Sequence, residues 1–260
     1  NKEINNSIIC GVMRPDYNKN NESTIFVGLL NGNVEEIYSL DNKRKWSSSI
    51  SDCRLTSICA PISKQVIICG NEKGFIYTID QIKRTVLCKS DNGTKGEITS
   101  IGYSETLNSI YTFGFDSQLA LWDTRSNLKI MSLAMTPPQL KGSFISDNNL
   151  YVSSFLKNKG LVKYDLRNLK DGITVVSMFP RIQACKLYSN DNVLILDEHS
   201  ELHLSNLKHG NDIPLMKNNE AKIMDFTFNE KSKLLKMCGE NYLSITSINN
   251  ILQMMNIEIS

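Results

Sequence analysis

The chain has 260 residues, of which 41% are hydrophobic and 22% charged, and its formal net charge is +2. This composition is typical of a globular protein and excludes a disordered or fibrous chain. So small a charge supplies no bulk basic field, so nucleic acid is not the default partner. No run of about eighteen apolar residues occurs, and we therefore expect no membrane insertion.

The cysteines indicate a reducing compartment. There are seven of them, scattered without a close pair at metal-ligand spacing. Cys59 and Cys69 fall inside apolar strand patterns, where a thiol behaves as a small hydrophobic group. The opening residues NKEINN do not resemble a signal peptide. We therefore predict reduced cysteines and a cytoplasmic or nuclear protein.

In chain order, the sequence divides into six units, each with four short apolar strands separated by Asn, Gly and Asp turns. In the first unit the strands are SIICGVMRP, STIFVGLL, VEEIYSLD and KRKWSSSIS, and in the last unit ILQMMNI is the predicted fourth strand. No segment has a helical period strong enough to predict a helix. We expect one domain over residues 1–260, with approximate units 7–52, 54–90, 97–135, 139–179, 181–217 and 222–260.

The units repeat with a period near forty residues. Equivalent positions in the third strands are separated by 39, 45, 42, 40 and 41 residues. These positions are Tyr38, Tyr77, Trp122, Tyr164, Leu204 and Ile245. Such a period with strand-type alternation is typical of a β-propeller, in which each repeat forms one four-stranded blade. The predicted fold class is therefore all-β, a propeller with six visible blades.

The third unit resembles the WD-repeat family. Its second strand ends at Gly114-Phe115-Asp116, and its third strand reads LALWD, ending at Trp122 and Asp123. The fourth unit resembles the family through KYDLRN, which contains Asp165. The resemblance implies that Asp116 lies in the tight turn between the second and third strands and that Trp122 packs in the blade. In the family these residues belong to a structural hydrogen-bond network with a His and a Ser.

This network is incomplete here. No Gly-His pair precedes Glu97, and Thr112 or Phe113 stands where a Ser is common. The succession of a WDTR blade, PPQLKGSFISDNNLYVSS and a YDLRN blade is similar to the propellers of the mitotic checkpoint and messenger-RNA export. The chain is therefore expected to be a divergent member of the family.

The number of blades leaves three alternatives, because a propeller must pair its last blade with its first. The ring has six blades, or a seventh lies in sequence not present here, or a partner supplies its strands. We slightly favour a seven-bladed parent.

No catalytic, metal or cofactor site is predicted. The histidines His199, His203 and His209 are interpreted as surface and core-edge residues, because no carboxylate or cysteine stands nearby at zinc spacing. Asp197 and Glu198 are paired carboxylates, but we place them in a turn, where acidic residues are common.

Five residues are candidate partner contacts. Phe115 and Phe155 lie near turns between second and third strands, which the resemblance places around the mouth of the central channel. Trp46 is either an exposed interface anchor on a fourth strand or a residue packed between blades. Arg14 and Arg181 are candidate contacts for an acidic peptide or an RNA backbone.

Three functional hypotheses follow. The first is a noncatalytic scaffold that binds protein or peptide partners within a multisubunit intracellular assembly. The second is a propeller associated with RNA or ribonucleoprotein, which requires Arg14, Lys157, Lys159 and Arg181 to converge on one face. The third is a propeller hydrolase or isomerase, which requires clustered carboxylates or histidines in the channel.

Overall fold

The computed structural model is built almost entirely of β-strands. In the part of the chain that it describes, no helix is both long and apolar enough to cross a membrane. The described residues are 7–15, 23–38, 44–61, 63–91, 96–116, 118–124, 128–134, 139–146, 149–154, 160–167, 173–176, 179, 182–189, 191–216, 223–229, 233–239 and 243–254.

The first of two compact units covers residues 1–138 and contains three antiparallel four-stranded sheets. In each sheet the strands pair in chain order, as expected when short turns connect neighbours. The first sheet contains β1 (Ile8–Pro15), β2 (Ser23–Leu29), β3 (Asn33–Tyr38) and β4 (Arg44–Ser49). The second contains β5 (Leu55–Cys59), β6 (Val66–Asn71), β7 (Phe75–Asp80) and β8 (Val86–Asp91). The third contains β9 (Ile98–Ser104), β10 (Ser109–Gly114), β11 (Gln118–Asp123) and β12 (Lys129–Ala134).

The second unit covers residues 139–260 and continues the pattern. The fourth sheet contains β13 (Gln139–Ser146), β14 (Asn149–Ser154), β15 (Leu161–Asp165) and β16 (Ile173–Val176). The fifth contains β17 (Ile182–Ser189), β18 (Asn192–Asp197), β19 (Leu202–Asn206) and β20 (Asp212–Met216). The sixth has three described strands, β21 (Ile223–Asn229), β22 (Leu234–Gly239) and β23 (Leu243–Ser247), and is followed by the helix α1 (Ile248–Met254).

Within the first unit, neighbouring sheets pack face to face. The first strands β1, β5 and β9 lie side by side, and apolar clusters fill the spaces between sheets. Phe26 and Val34 meet Leu55 and Ile79 between the first and second sheets. Strand β6 is buried along nearly its whole length because it is covered on both faces. This accounts for its continuous apolar sequence, VIICGN.

The second unit is organised in the same way. Strand β17 lies between β13 and β21. Tyr151 and Leu161 pack with Cys185 between the fourth and fifth sheets. Leu204 of the fifth sheet and Phe226 of the sixth belong to the next apolar cluster. The core therefore lies between stacked sheets rather than within any one of them.

One predicted element is wrong. Residues 251–254 of the predicted strand ILQMMNI belong to the helix α1. Ile248, Ile251 and Leu252 follow a helical spacing, and all three contact the core that the fifth and sixth sheets share. The helical spacing is difficult to distinguish in the sequence because the helix has only seven residues, two turns.

The predicted fold class is confirmed. Each of the six described sheets begins within one residue of the start of a predicted unit, and each has the up-and-down order of a propeller blade. The assignment of residues 1–260 to a single domain stays a prediction, as does the number of blades in the complete ring.

Candidate functional site

The WD-like residues of the third sheet form an internal network. Trp122 is 3% exposed, and its indole N–H donates a hydrogen bond of 3.1 Å to the Thr112 hydroxyl. Asp116 lies in the turn between β10 and β11 and accepts a hydrogen bond from the Gln118 N–H at 3.2 Å. Thr112 is thus the hydroxyl partner of the Trp122 indole. These residues stabilise the blade, and Trp122 is unavailable to a ligand.

The other two WD-like aspartates stand at the ends of third strands. The Asp123 N–H donates to the Leu128 carbonyl at 3.0 Å and so links the end of β11 to the residue before β12. The Asp165 carboxylate accepts hydrogen bonds from the Arg167 guanidinium at 2.8 and 3.0 Å. That guanidinium, together with the Arg167 N–H, lowers the pKa of Asp165 to about 2. Asp165 is therefore an ionised turn residue.

Phe115 is an exposed aromatic residue at the turn between β10 and β11. Its relative exposure is 65%. Its backbone N–H donates a 2.7 Å hydrogen bond to the Glu97 carbonyl, which holds the main chain at the start of β9. A large apolar side chain on an anchored turn is suited to contact a partner, because little conformational entropy is lost on binding.

The outermost strand of the third sheet carries a second apolar surface. Strand β12 is exposed at nearly every position. Leu128, just before the strand, and Ile130 within it are 68% and 53% exposed. Met131 is 36% exposed. We call the surface formed by Leu128, Ile130, Met131 and the outer edge of β12 the third-sheet edge.

This edge lacks the protection that most of the other outer strands have. Charges and prolines on an edge strand discourage pairing with another chain. Strand β4 carries Arg44 and Lys45, β8 carries Lys89 and Asp91, and β20 carries Asp212 and Pro214. Strand β16 has no charge but only four residues. Strand β12 reads KIMSLA and, after Lys129, offers five residues without a charge or a proline.

The register places Phe115 near one end of this edge. Gln118 pairs with Ala134, the last residue of β12. The turn that carries Phe115 comes just before Gln118 and so lies at the Ala134 end of the same sheet. Phe115 and the third-sheet edge therefore belong to one blade.

Trp46 lies on the predicted fourth strand, β4, and is half-buried. It packs against the apolar cluster between the first and second sheets, with the Arg84 guanidinium carbon 6.0 Å from its ring centroid. Lys45 next to it forms an ion pair with the buried Glu36 at 3.2 Å. Of the two sequence-based readings of Trp46, this placement agrees with packing between blades.

The remaining basic and aromatic candidates are not positioned. Phe155, Lys157, Lys159 and Arg181 lie outside the described residues, and for Arg14 only the backbone, paired with Thr24 in β1 and β2, is described. The hypothesis that these basic residues share one face and bind RNA therefore stays a prediction.

The three histidines occupy different environments. The side chain of His199 is 71% exposed, and His209 lies in the exposed turn after β19. His203 is only 7% exposed. Although zinc spacing was not recognised in the sequence, Asp197, Glu201 and Asp212 surround His203. Asp197 and Glu198 do lie at the turn between β18 and β19. Asp212 could not be found from sequence spacing, because it approaches His203 only through the pairing of β19 with β20. Asp197 and Glu201 lie within six residues of His203, and their spacing was the one signal available in the sequence.

No family model matches the chain, and no curated protein matches it. Among solved structures, a chain in "Crystal Structure of Mitotic Checkpoint Complex" is similar with a TM-score of 0.70 and 12% identity, over 85% of this chain and 70% of that one. The computationally designed Ika8 protein is similar with a TM-score of 0.66 and 14% identity, over 93% of this chain and 71% of that one. At such identities the likeness concerns the fold, and it supports a β-propeller.

Proposed function

We propose that the chain is a noncatalytic propeller scaffold of WD-repeat type that binds other proteins within a larger assembly in the cytoplasm or nucleus. The third-sheet edge carries the proposal. Among the described strands, β12 is the outermost strand of its sheet. It carries exposed apolar side chains and, after Lys129, lacks the charges that protect β4 and β8. An extended segment of a partner protein pairs with β12 and covers Ile130 and Met131.

The chemistry of this edge suits a protein partner. Main-chain hydrogen bonds to an added strand supply affinity, and contacts with alternate side chains supply specificity. The exposed side chains here are aliphatic or thioether groups, which contribute by burial rather than by charge. The nearby Phe115 extends the same blade with an aromatic contact of the kind enriched at interfaces.

Two further observations support the WD-repeat scaffold. The hydrogen bond from Trp122 to Thr112 has the Trp-to-hydroxyl form of the family network. One of the similar solved chains comes from a structure described as a checkpoint complex, which is an assembly of proteins. We infer that this chain also binds other proteins within an assembly.

The proposal is tested by affinity capture with two matched variants. Ile130→Lys places a charge on the third-sheet edge, whereas Leu87→Lys places the same charge on β8, at a residue that is also on an outer strand and 55% exposed. We expect wild type and Leu87→Lys to capture the same partner and Ile130→Lys to lose it. In the captured complex, amide hydrogen exchange should slow in residues 129–134. Undiminished capture by Ile130→Lys, or unchanged hydrogen exchange in residues 129–134, would refute the third-sheet edge as the surface that binds the partner.

A further inference from the structure

His203 in β19 presents a buried nitrogen without a hydrogen bond. Its side chain is 8% exposed, so more than nine-tenths of it is buried. Among the residues that the structure describes, none forms a hydrogen bond with its Nε2 atom. The Phe179 ring covers the imidazole at a centroid distance of 4.7 Å. Burying a polar atom without a hydrogen-bond partner destabilises the folded state, and a ligand bound to this nitrogen would remove that destabilisation.

The other ring nitrogen is firmly held. His203 Nδ1 lies 2.9 Å from Asp212 Oδ2. Asp212 is itself fixed, because the Ser205 hydroxyl donates a 2.7 Å hydrogen bond to its Oδ1. A carboxylate accepts only, so in the neutral imidazole Nδ1 carries the proton. The lone pair of Nε2 is then available. Metal-binding histidines commonly have this arrangement, with the distal N–H donated to a carboxylate.

Two carboxylates face Nε2. Asp197 Oδ2 is 3.8 Å from it, and Glu201 Oε2 is 3.9 Å from it. Both distances are too long for hydrogen bonds. The ligand atoms of Asp197, Glu201 and His203 all lie within 4.8 Å of one another. The three atoms therefore converge on a common point without bonding to each other.

The turn between β18 and β19 leaves one oxygen of Asp197 free for this role. Asp197 Oδ1 accepts the backbone N–H groups of His199 and Glu201 at 2.9 and 2.8 Å. These bonds fix the carboxylate and direct Oδ2 towards His203. The turn thus uses Asp197 Oδ1 as its hydrogen-bond acceptor and leaves Oδ2 facing His203 Nε2.

We propose that Asp197 Oδ2, Glu201 Oε2 and His203 Nε2 bind a divalent transition-metal ion of the Zn²⁺ class. One imidazole nitrogen and two carboxylate oxygens form a donor set that zinc accepts. Tetrahedral ligands at zinc distances lie about 3.4 Å apart, and these three atoms lie within 4.8 Å of one another, so side-chain shifts of about 1 Å or less close the site. Three protein ligands leave one position for water or for a group from a bound partner.

A proton is the competitor of the metal for Nε2. Burial disfavours the charged imidazolium and is the largest influence on His203, but the hydrogen bond to Asp212 and the charges of Asp212, Asp197 and Glu201 together raise its pKa above the ordinary value. Metal binding requires the neutral imidazole. Zinc affinity should therefore fall as the pH is lowered through the pKa of His203.

The test measures Zn²⁺ binding to the full chain, without a histidine tag, by isothermal titration and by native mass spectrometry at pH 7.5. We expect one equivalent for the wild type. Asp197→Asn keeps the Oδ1 that the turn uses, as Asn71 does at the corresponding turn of the second sheet, and should lose the metal. Glu201→Gln and His203→Gln should lose it too. Asp212→Asn should weaken affinity about 10–100-fold through the orientation of the imidazole.

Two controls separate this site from adventitious binding. His199→Asn removes a nearby histidine whose side chain is 71% exposed and should retain one equivalent. Co²⁺ bound in place of Zn²⁺ should show no thiolate charge-transfer band, which excludes the cysteines as ligands. The proposal is overturned if the wild type binds no Zn²⁺, if Asp197→Asn and His203→Gln bind it as the wild type does, or if His199→Asn abolishes binding.

Discussion

Asn71 and Asp197 hold equivalent turns, in the second and the fifth sheets, by the same hydrogen bonds. Each side chain accepts, through Oδ1, the backbone N–H groups two and four residues later, from Lys73 and Phe75 in one case and from His199 and Glu201 in the other. The residue three positions after each side chain has a positive φ, 86° at Gly74 and 66° at Ser200. The two side chains differ in the remaining atom. Asn71 donates from its amide, whereas Asp197 presents a second oxygen.

Replacing Asn71 by Ala should destabilise the first unit. Its amide donates to the Ser51 hydroxyl at 3.0 Å, and its Oδ1 accepts the two turn N–H groups. Because these partners are left unsatisfied, we expect a loss of about 2–3 kcal/mol in the free energy of unfolding. Urea denaturation followed by circular dichroism measures it.

Asn31→Ala is the matched control, because Asn31 makes an exposed turn contact of 3.1 Å with the Asn33 N–H. We expect a loss below about 1 kcal/mol there. Equal losses of unfolding free energy in the two variants would contradict the expectation that the buried Asn71 network stabilises the fold more than the exposed Asn31 contact does.

The hydrogen bond between Trp122 and Thr112 should be measurable by a double-mutant cycle. Trp122→Phe removes the indole donor, and Thr112→Val removes the acceptor while conserving volume. Each change should destabilise the fold, and the coupling between them should be about 1 kcal/mol, the net contribution of one buried hydrogen bond. Urea denaturation of the four proteins gives the coupling. A coupling near zero would mean that the hydrogen bond between Trp122 and Thr112 does not stabilise the blade.

The strands were predictable because each blade buries its apolar face at short range. Strand β6 reads VIICGN and is nearly all buried, so its apolar run alone identifies it. The hydrophobic spacing of α1 could be read from Ile248, Ile251 and Leu252, but over seven residues it competes with a strand pattern. Local sequence does not decide between the two. The contact of these residues with the core of the fifth and sixth sheets does.

The candidate sites were less predictable because they depend on pairing between strands. Ser205 pairs with Asp212, and this register brings the carboxylate beside His203, nine residues earlier in the chain. Spacing along the chain does not show this. The third-sheet edge could have been inferred from KIMSLA, whose apolar run is unusual for an outer strand. Trp46 required the structure, since both packing and exposure were consistent with its place on β4.

Phe115→Ala should separate partner binding from stability. The ring is 65% exposed, so its removal should change the free energy of unfolding by no more than about 0.5 kcal/mol. If the partner covers the turn as well as the third-sheet edge, capture should weaken at least tenfold. Phe113→Ala is the contrasting variant, because Phe113 is 1% exposed and its loss should cost about 3–5 kcal/mol. Full capture by a stable Phe115→Ala protein would restrict the interface to the edge.

The buried thiols should make the protein sensitive to alkaline pH. Burial raises the pKa of Cys59 from 9.0 to about 12, and burial likewise raises the pKa of Cys69. The folded protein thus keeps protons that the unfolded chain releases, so these thiols stabilise the fold fully below pH 9, and that stabilisation is lost as the pH rises through the folded pKa. We expect the urea midpoint to decline above pH 9, and Cys59→Ala to reduce the slope. At pH 8, iodoacetamide followed by peptide mapping should modify the half-buried Cys88 before the buried Cys69. Modification of Cys88 and Cys69 at one rate in the folded protein would contradict the burial of Cys69.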